Sequence, residues 1–128
     1  MDDLIAAAQK ARQNAYIPYS HFAVGAAVQV DGHIFAACNI ENASYGLAMC
    51  AERNAMFQAV AAGYTHLEAI AVIGDTAGPI SPCGACRQVM AEFFTPDAPV
   101  YLTNLHGQVQ TTTVAALLPG AFTKGDLK

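Results

Sequence analysis

Apolar and polar positions recur with two different periods along this chain, and each change of period marks a predicted element. Residues 3–15 follow a helical period, with Leu4, Ala8, Ala11 and Ala15 on one face and Asp2 and Asp3 at the positive end of the helix dipole. Pro18-Tyr19-Ser20 breaks that period and opens a connection through His21 and Phe22. Ala23–Val30 and Ile34–Cys38 alternate loosely around Asp31-Gly32, a strong hairpin signal, and so predict an antiparallel pair. A polar, turn-like stretch runs from Asn39 to Met49. Placed directly after a strand, and rich in hydrogen-bonding side chains, it is a candidate for ligand contact.

The helical period returns from Cys50 to Ala62, with Ala51, Ala55, Met56, Ala59 and Val60 inward and Gly63 as the stop. Leu67–Ile73 is an unbroken apolar run ended by Gly74, as a buried strand requires. Asp75–Pro82 reads as a loop, and Pro82–Phe94 as a third helix stopped by Thr95-Pro96. Val100–Thr103 and Gln108–Thr112 are short strands about a turn, and Thr113 can cap a last helical turn through Leu118. The order is helix, two strands, helix, strand, helix, two strands. That order predicts an α/β fold: a three-layer α/β/α sandwich with a mixed five-stranded sheet. Cys50 and Cys83 would then begin helices at one edge of the sheet, where such helix starts cluster.

Composition narrows the function. The 128 residues suit one domain, spanning 1–128, with a core of its own. Only 12% of residues are charged and 54% are apolar, which favours subunit contacts over part of the surface. The net charge is −4 and no run of Lys or Arg occurs, so a polynucleotide is not expected as a partner. The start of the chain, Met1-Asp2-Asp3, leads into no long apolar run. No signal peptide or membrane span is expected, and the predicted location is cytoplasmic. Clustered cysteines in a reducing compartment point to metal binding or catalysis rather than to disulfides.

The chemistry gathers in two short clusters, Met49-Cys50-Ala51-Glu52-Arg53 and Ser81-Pro82-Cys83-Gly84-Ala85-Cys86-Arg87. Cys83-x-x-Cys86 opening a helix after a strand also describes a thioredoxin-like redox pair. Cys50, at a similarly placed helix start, has no use in a redox pair but completes a three-thiolate set for a soft divalent ion. A structural zinc site needs a fourth ligand, and Cys38, His21, His33, His66 and His106 are the candidates. Cys38 reads as a small core residue at a strand end. The four histidines stand singly, without ligand spacing, and read as structural or solvated. With three thiolates one tetrahedral position stays open, the mark of a catalytic site. Glu52 then reads as the proton carrier beside it, although an acid in a first helical turn also serves the dipole. Arg53 and Arg87 each follow a candidate ligand. Either could donate to sulfur and offset the negative cluster, Arg53 being the stronger candidate, or could simply make surface ion pairs.

Cys-Ala-Glu followed by Pro-Cys-Gly-Ala-Cys is the zinc-deaminase signature in its three-cysteine form. Together with Pro18–Ala27 and Asn39–Gly46, and on through Leu117-Leu118-Pro119 and Phe122, it resembles the small tetrameric cytidine deaminases over nearly the whole chain. The resemblance implies a cytidine deaminase-like fold, one Zn²⁺ per chain on Cys50, Cys83 and Cys86, and proton transfer by Glu52. It implies that Asn39 and Glu41 hold the ribose hydroxyls, that Phe22 packs on the pyrimidine, and that Ala51 meets the base through its backbone. Ala43, Tyr45 and Phe122 would reach a neighbour's pocket in a homotetramer with shared active sites. The implied reaction is hydrolytic deamination of free cytidine and deoxycytidine to uridine and deoxyuridine, as in pyrimidine salvage. Two alternatives are a deaminase of a modified cytosine nucleoside such as an aminonucleoside antibiotic, and a non-enzymatic zinc-stabilised domain. The Asn39/Glu41 pair argues against the first and the missing fourth ligand against the second.

Overall fold

The computed structural model describes residues 1–127. Five strands form one mixed sheet: β1 (Val24–Val30), β2 (His33–Cys38), β3 (Ala69–Gly74), β4 (Pro99–Asn104) and β5 (Val109–Thr113), in the order β2-β1-β3-β4-β5. β1 pairs antiparallel with both β2 and β3, β3 pairs parallel with β4, and β4 pairs antiparallel with β5. The β1–β2 hairpin turns at Asp31 and Gly32, both with positive φ (51° and 76°), the primed geometry that matches strand twist.

Alternation along the strands divides the core into two layers. Leu4 and Ala8 of α1 (Asp2–Arg12) pack on Ala27, Ala71 and Ile73 on one face. On the other, Ala26, Val28, Ile70, Val72, Val100 and Leu102 meet α2 (Ala51–Ala61) and α3 (Gly84–Phe93). These are the three layers that the element order predicts. Ala51, Ala55 and Ala59 of α2 are buried with Met56, so small side chains bring the α2 backbone close to the sheet. Gly25 does the same beneath α1. A Cβ there would meet the carbonyl oxygen of Ala8 and the Cβ of Arg12. Both parallel crossovers, β2 to β3 through α2 and β3 to β4 through α3, therefore run over one face.

Helix ends differ from expectation in instructive ways. α1 stops at Arg12 rather than residue 15. Arg12 Nε turns back to donate to the Ala23 carbonyl (2.9 Å), and residues 13–16 become the connection that brings Tyr16 beside Ile40. Pro82 lies outside α3 rather than at its first turn: Cys83 is the cap residue, with extended φ and ψ (−69°, 167°). Its carbonyl accepts the first helical bond from Arg87 N (3.1 Å), and Pro82 suits the extended segment before the cap. Thr113 caps α4 (Val114–Leu117) as the sequence predicts, its hydroxyl accepting from Ala116 N at 3.1 Å. Single 3₁₀ turns occupy Tyr45–Leu47 and Lys124–Leu127. No helix of the described residues is long and apolar enough to cross a membrane.

Candidate active site

The carboxyl ends of β2, β3 and β4 and the start of β1 share one edge of the sheet, and the candidate site lies there. Cys50 and Cys83 are the cap residues of α2 and α3, both extended, and neither caps its helix with its own side chain. Their sulfurs lie 3.8 Å apart, and Cys83 Sγ is 3.5 Å from Cys86 Sγ. The three sulfurs lie within 4.8 Å of one another, a spacing that one tetrahedral ion can bridge. All four cysteines are free thiols, so no disulfide competes for these ligands. Burial is graded across the set: Cys86 is buried, Cys50 half-buried and Cys83 exposed.

The electrostatics favour a thiolate at Cys50. A hydrogen bond from Cys86 draws it down to about 5 against the opposing effect of burial, and Arg53 adds to the shift. The same interaction, together with burial, pushes Cys86 up. Arg53 Nη2 donates to Cys50 Sγ at 3.5 Å, and its Nε is buried with no partner among the described residues. Three soft donors with a guanidinium beside them form a donor set that fits zinc. Arg87 behaves differently. Nε donates to the Pro82 carbonyl (2.8 Å), Nη1 to the Leu117 carbonyl (2.8 Å) and Nη2 to Ser81 Oγ (2.6 Å).

A cavity of about 420 Å³ opens onto Cys50 and Cys83. Cys50, Ala51 and Glu52 form its floor at the start of α2, and Phe22 and Val24 approach from the entry to β1. Thr76, Ile80, Ser81 and Cys83 supply the wall from the β3–α3 loop, and Asn39 completes it. Glu52 is only 5% exposed, and burial pushes its carboxyl up to about 7, with the Cys50 charge adding to the rise. Gly74 keeps this end of β3 open; a Cβ there would run into the tip of Ile80 and touch the Phe22 ring.

The proposed ribose residues are divided. Asn39 lines the cavity, yet both ends of its amide already bond within the chain. Nδ2 donates to the Phe22 carbonyl (2.9 Å) and Oδ1 accepts from Val24 N (3.0 Å). One N–H and one lone pair remain for a ligand. Glu41 lines a separate hollow with Tyr19, Ser20 and Tyr45. Its Oε1 accepts from Tyr19 N and Ser20 N (both 3.1 Å), and hydrogen bonding from Ser20 holds it below the usual carboxylate range. Ala43, Tyr45 and Phe122 do not line this cavity and are exposed, Tyr45 at 78% and Phe122 at 58%. Phe122 is tied back by its carbonyl, which accepts from Gln88 Nε2 of α3 (2.8 Å). Cys38 is half-buried at the end of β2, raised by burial and apart from the three-sulfur group.

The sequence reading missed Asn104. It is buried at the end of β4, and its amide holds the Thr76 and Ala77 carbonyls (3.0 and 3.2 Å) and the Gln108 side chain (2.7 Å). Its only local signal is a polar residue closing an apolar strand, which also describes an ordinary turn.

A chain with cysteine sulfurs at two helix starts over a mixed sheet, and a buried carboxylic acid beside them, has the architecture of a zinc hydrolase acting on a small ligand. Residues 1–102 match the family model of the cytidine and deoxycytidylate deaminase zinc-binding region, and the chain belongs to that family. It is similar to a cytidine deaminase of Sporosarcina psychrophila, 58% identical over 99% of this chain and 94% of that protein. A cytidine deaminase of Halalkalibacterium halodurans is 56% identical over 97% and 95%. The crystal structure of a cytidine deaminase from Burkholderia pseudomallei superposes with a TM-score of 0.92, at 57% identity, over 94% of this chain and 98% of that one.

Proposed function

We propose that this chain catalyses zinc-dependent hydrolytic deamination of cytidine, releasing uridine and ammonia, with deoxycytidine as a second substrate in pyrimidine salvage. The observation that carries the reading is the buried Glu52 carboxyl in the floor of a cavity that also exposes Cys50 and Cys83. Cys50, Cys83 and Cys86 would hold the ion, which supplies Lewis acidity that makes water a nucleophile near neutral pH. Glu52 accepts a proton from that water and passes it to ring N3. Oxygen bonds to C4 as N3 gains its proton; Glu52 then carries the proton of the new C4–OH to the amine, so that the C4–N bond breaks and ammonia leaves as the C4 carbonyl forms. Phe22 presents its ring to the base, and Ala51 offers backbone polar groups at the cavity floor. Asn39 and Glu41 address the ribose with the hydrogen-bonding capacity their internal bonds leave free. Arg53 offsets the negative charge of the thiolates from Cys50.

All 128 residues act as one deaminase domain, since the single sheet runs from β1 to β5 across both halves of the chain. A reducing compartment suits thiolate ligands, and the reading places the protein in the cytoplasm. The active unit is a homotetramer. Tyr16, Tyr19, Ile40, Tyr45 and Leu47 are all exposed around the Asn39–Met49 loop, an apolar surface that suits a subunit contact. Ala43, Tyr45 and Phe122 would complete a neighbour's cavity.

Ultraviolet assay of the purified protein with cytidine, deoxycytidine and cytosine tests the function. Turnover of both nucleosides and none of the free base is expected, and inactivity on both would end the reading. Sedimentation and activity followed together on dilution test the assembly. Full activity in a monomer, or in a chain truncated before Phe122, would refute the shared site.

A further inference from the structure

We propose that Arg87 is a positioning residue for the metal centre: its guanidinium locks the Ser81–Cys83 segment, and with it the exposed Cys83 sulfur and the Ser81 part of the cavity wall. The β3–α3 loop has separate fastenings along its length. Asn104 holds Thr76 and Ala77, and Ile80 N donates to the Thr103 carbonyl (3.3 Å). The last stretch before the helix carries the ligand, and there Arg87 supplies two side-chain bonds, to Ser81 Oγ and the Pro82 carbonyl. Cys83 needs such support more than its partners do. It is the exposed member of the ligand set, on an extended cap residue that its own side chain does not close.

The third bond, to the Leu117 carbonyl, anchors the guanidinium itself at the last residue of α4, where a helix leaves carbonyls without internal partners. A planar fork with donors in fixed directions can span three acceptors at once, whereas an ammonium on a flexible stem cannot. All three acceptors are oxygen. The job is therefore geometric, distinct from the donation to sulfur made by Arg53.

The activity arm of the test rests on the deaminase reading; the metal arm does not. The zinc-loaded Arg87→Lys and Ser81→Ala proteins would be compared with wild type in three measurements. These are zinc release to a chromogenic chelator under native conditions, the rate of global unfolding, and kcat and KM for cytidine. Arg87→Lys keeps the charge and loses the fork, so zinc release should quicken about 10- to 100-fold and kcat/KM should fall by a similar factor. Ser81→Ala removes one of the three bonds and should fall between. Wild-type zinc release in Arg87→Lys would overturn the proposal, because a positive charge alone would then suffice. It is equally overturned if faster release merely tracks faster global unfolding. Should Arg87→Lys fail to fold, Ser81→Ala decides: unchanged zinc release and unchanged KM refute the positioning role. Inactive wild-type protein with the predicted zinc release would sink the deaminase reading and leave this one standing.

Discussion

The starts of α2 and α3 read almost alike in sequence and do different work. Each opens on a cysteine at the cap position, and each carries an arginine one turn later. At α2, Ala51 and Glu52 are buried, and Arg53 points at sulfur. At α3, Gly84 and Ala85 are exposed, and Arg87 points at backbone oxygen. Glu52 stands two residues after its cysteine; the equivalent place after Cys83 holds Ala85. Under the proposed function, one helix start carries the chemistry, and the other is a frame for two sulfurs. The difference lies in burial. Burial is the largest cause of the upward shift at Glu52, and the α2 start lies against the sheet while the α3 start faces solvent.

Removing zinc should separate the two most strongly. A chelator should abolish deamination and speed hydrogen exchange at residues 83–86 far more than at residues 51–55, whose buried helix is held by the sheet. Equal change at both starts would break the contrast. Next in size, Glu52→Gln should lower kcat on the order of 100-fold or more with about one zinc per chain retained. Ala85→Gln, at the matching position, should change kcat little. Arg53→Gln should lower kcat about tenfold with KM and zinc content near wild type, since its donation to Cys50 Sγ is lost and no cavity wall moves. A raised KM would assign Arg53 the framing job instead. Smallest is Asn54→Ala. It removes the bond from Nδ2 to the Cys38 carbonyl (2.9 Å) that ties α2 to the end of β2. About 1 kcal/mol of stability should be lost in denaturant titration, with kcat unchanged.

What was legible in the sequence was whatever local rules control. Valine-rich alternation marked β1, Asp31-Gly32 marked the hairpin, Thr113 marked a cap, and three cysteines at two helix starts marked the metal ligands. What was not legible depended on partners far away in the chain. Asn39 reads as a ligand-binding amide, and the structure spends half of its capacity on Phe22 and Val24. Arg87 reads as a second, weaker candidate beside Arg53 for donation to sulfur, until the Leu117 carbonyl, thirty residues on, comes within reach of its guanidinium. Asn104 looks like a turn residue until the loop after β3 folds against it. In each case the side chain is polar and versatile, and only the tertiary structure decides where its hydrogen bonds go.

The register of β1 against β3 bears on how the protein is made. Val24 lies opposite Gly74, so the cavity's two sides are joined by strands whose paired residues are separated by the whole of β2 and α2. Bringing such distant segments together carries a loop-closure cost, and contacts of this kind form slowly. The Cys83–Cys86 pair is local, but Cys50 joins it only once that pairing exists. A refolding chain should therefore capture the ion weakly at first, on two sulfurs, and tightly only after the sheet closes. Refolding in the presence of cobalt would show this as a thiolate absorption band that grows in two phases, the slower one keeping pace with sheet formation.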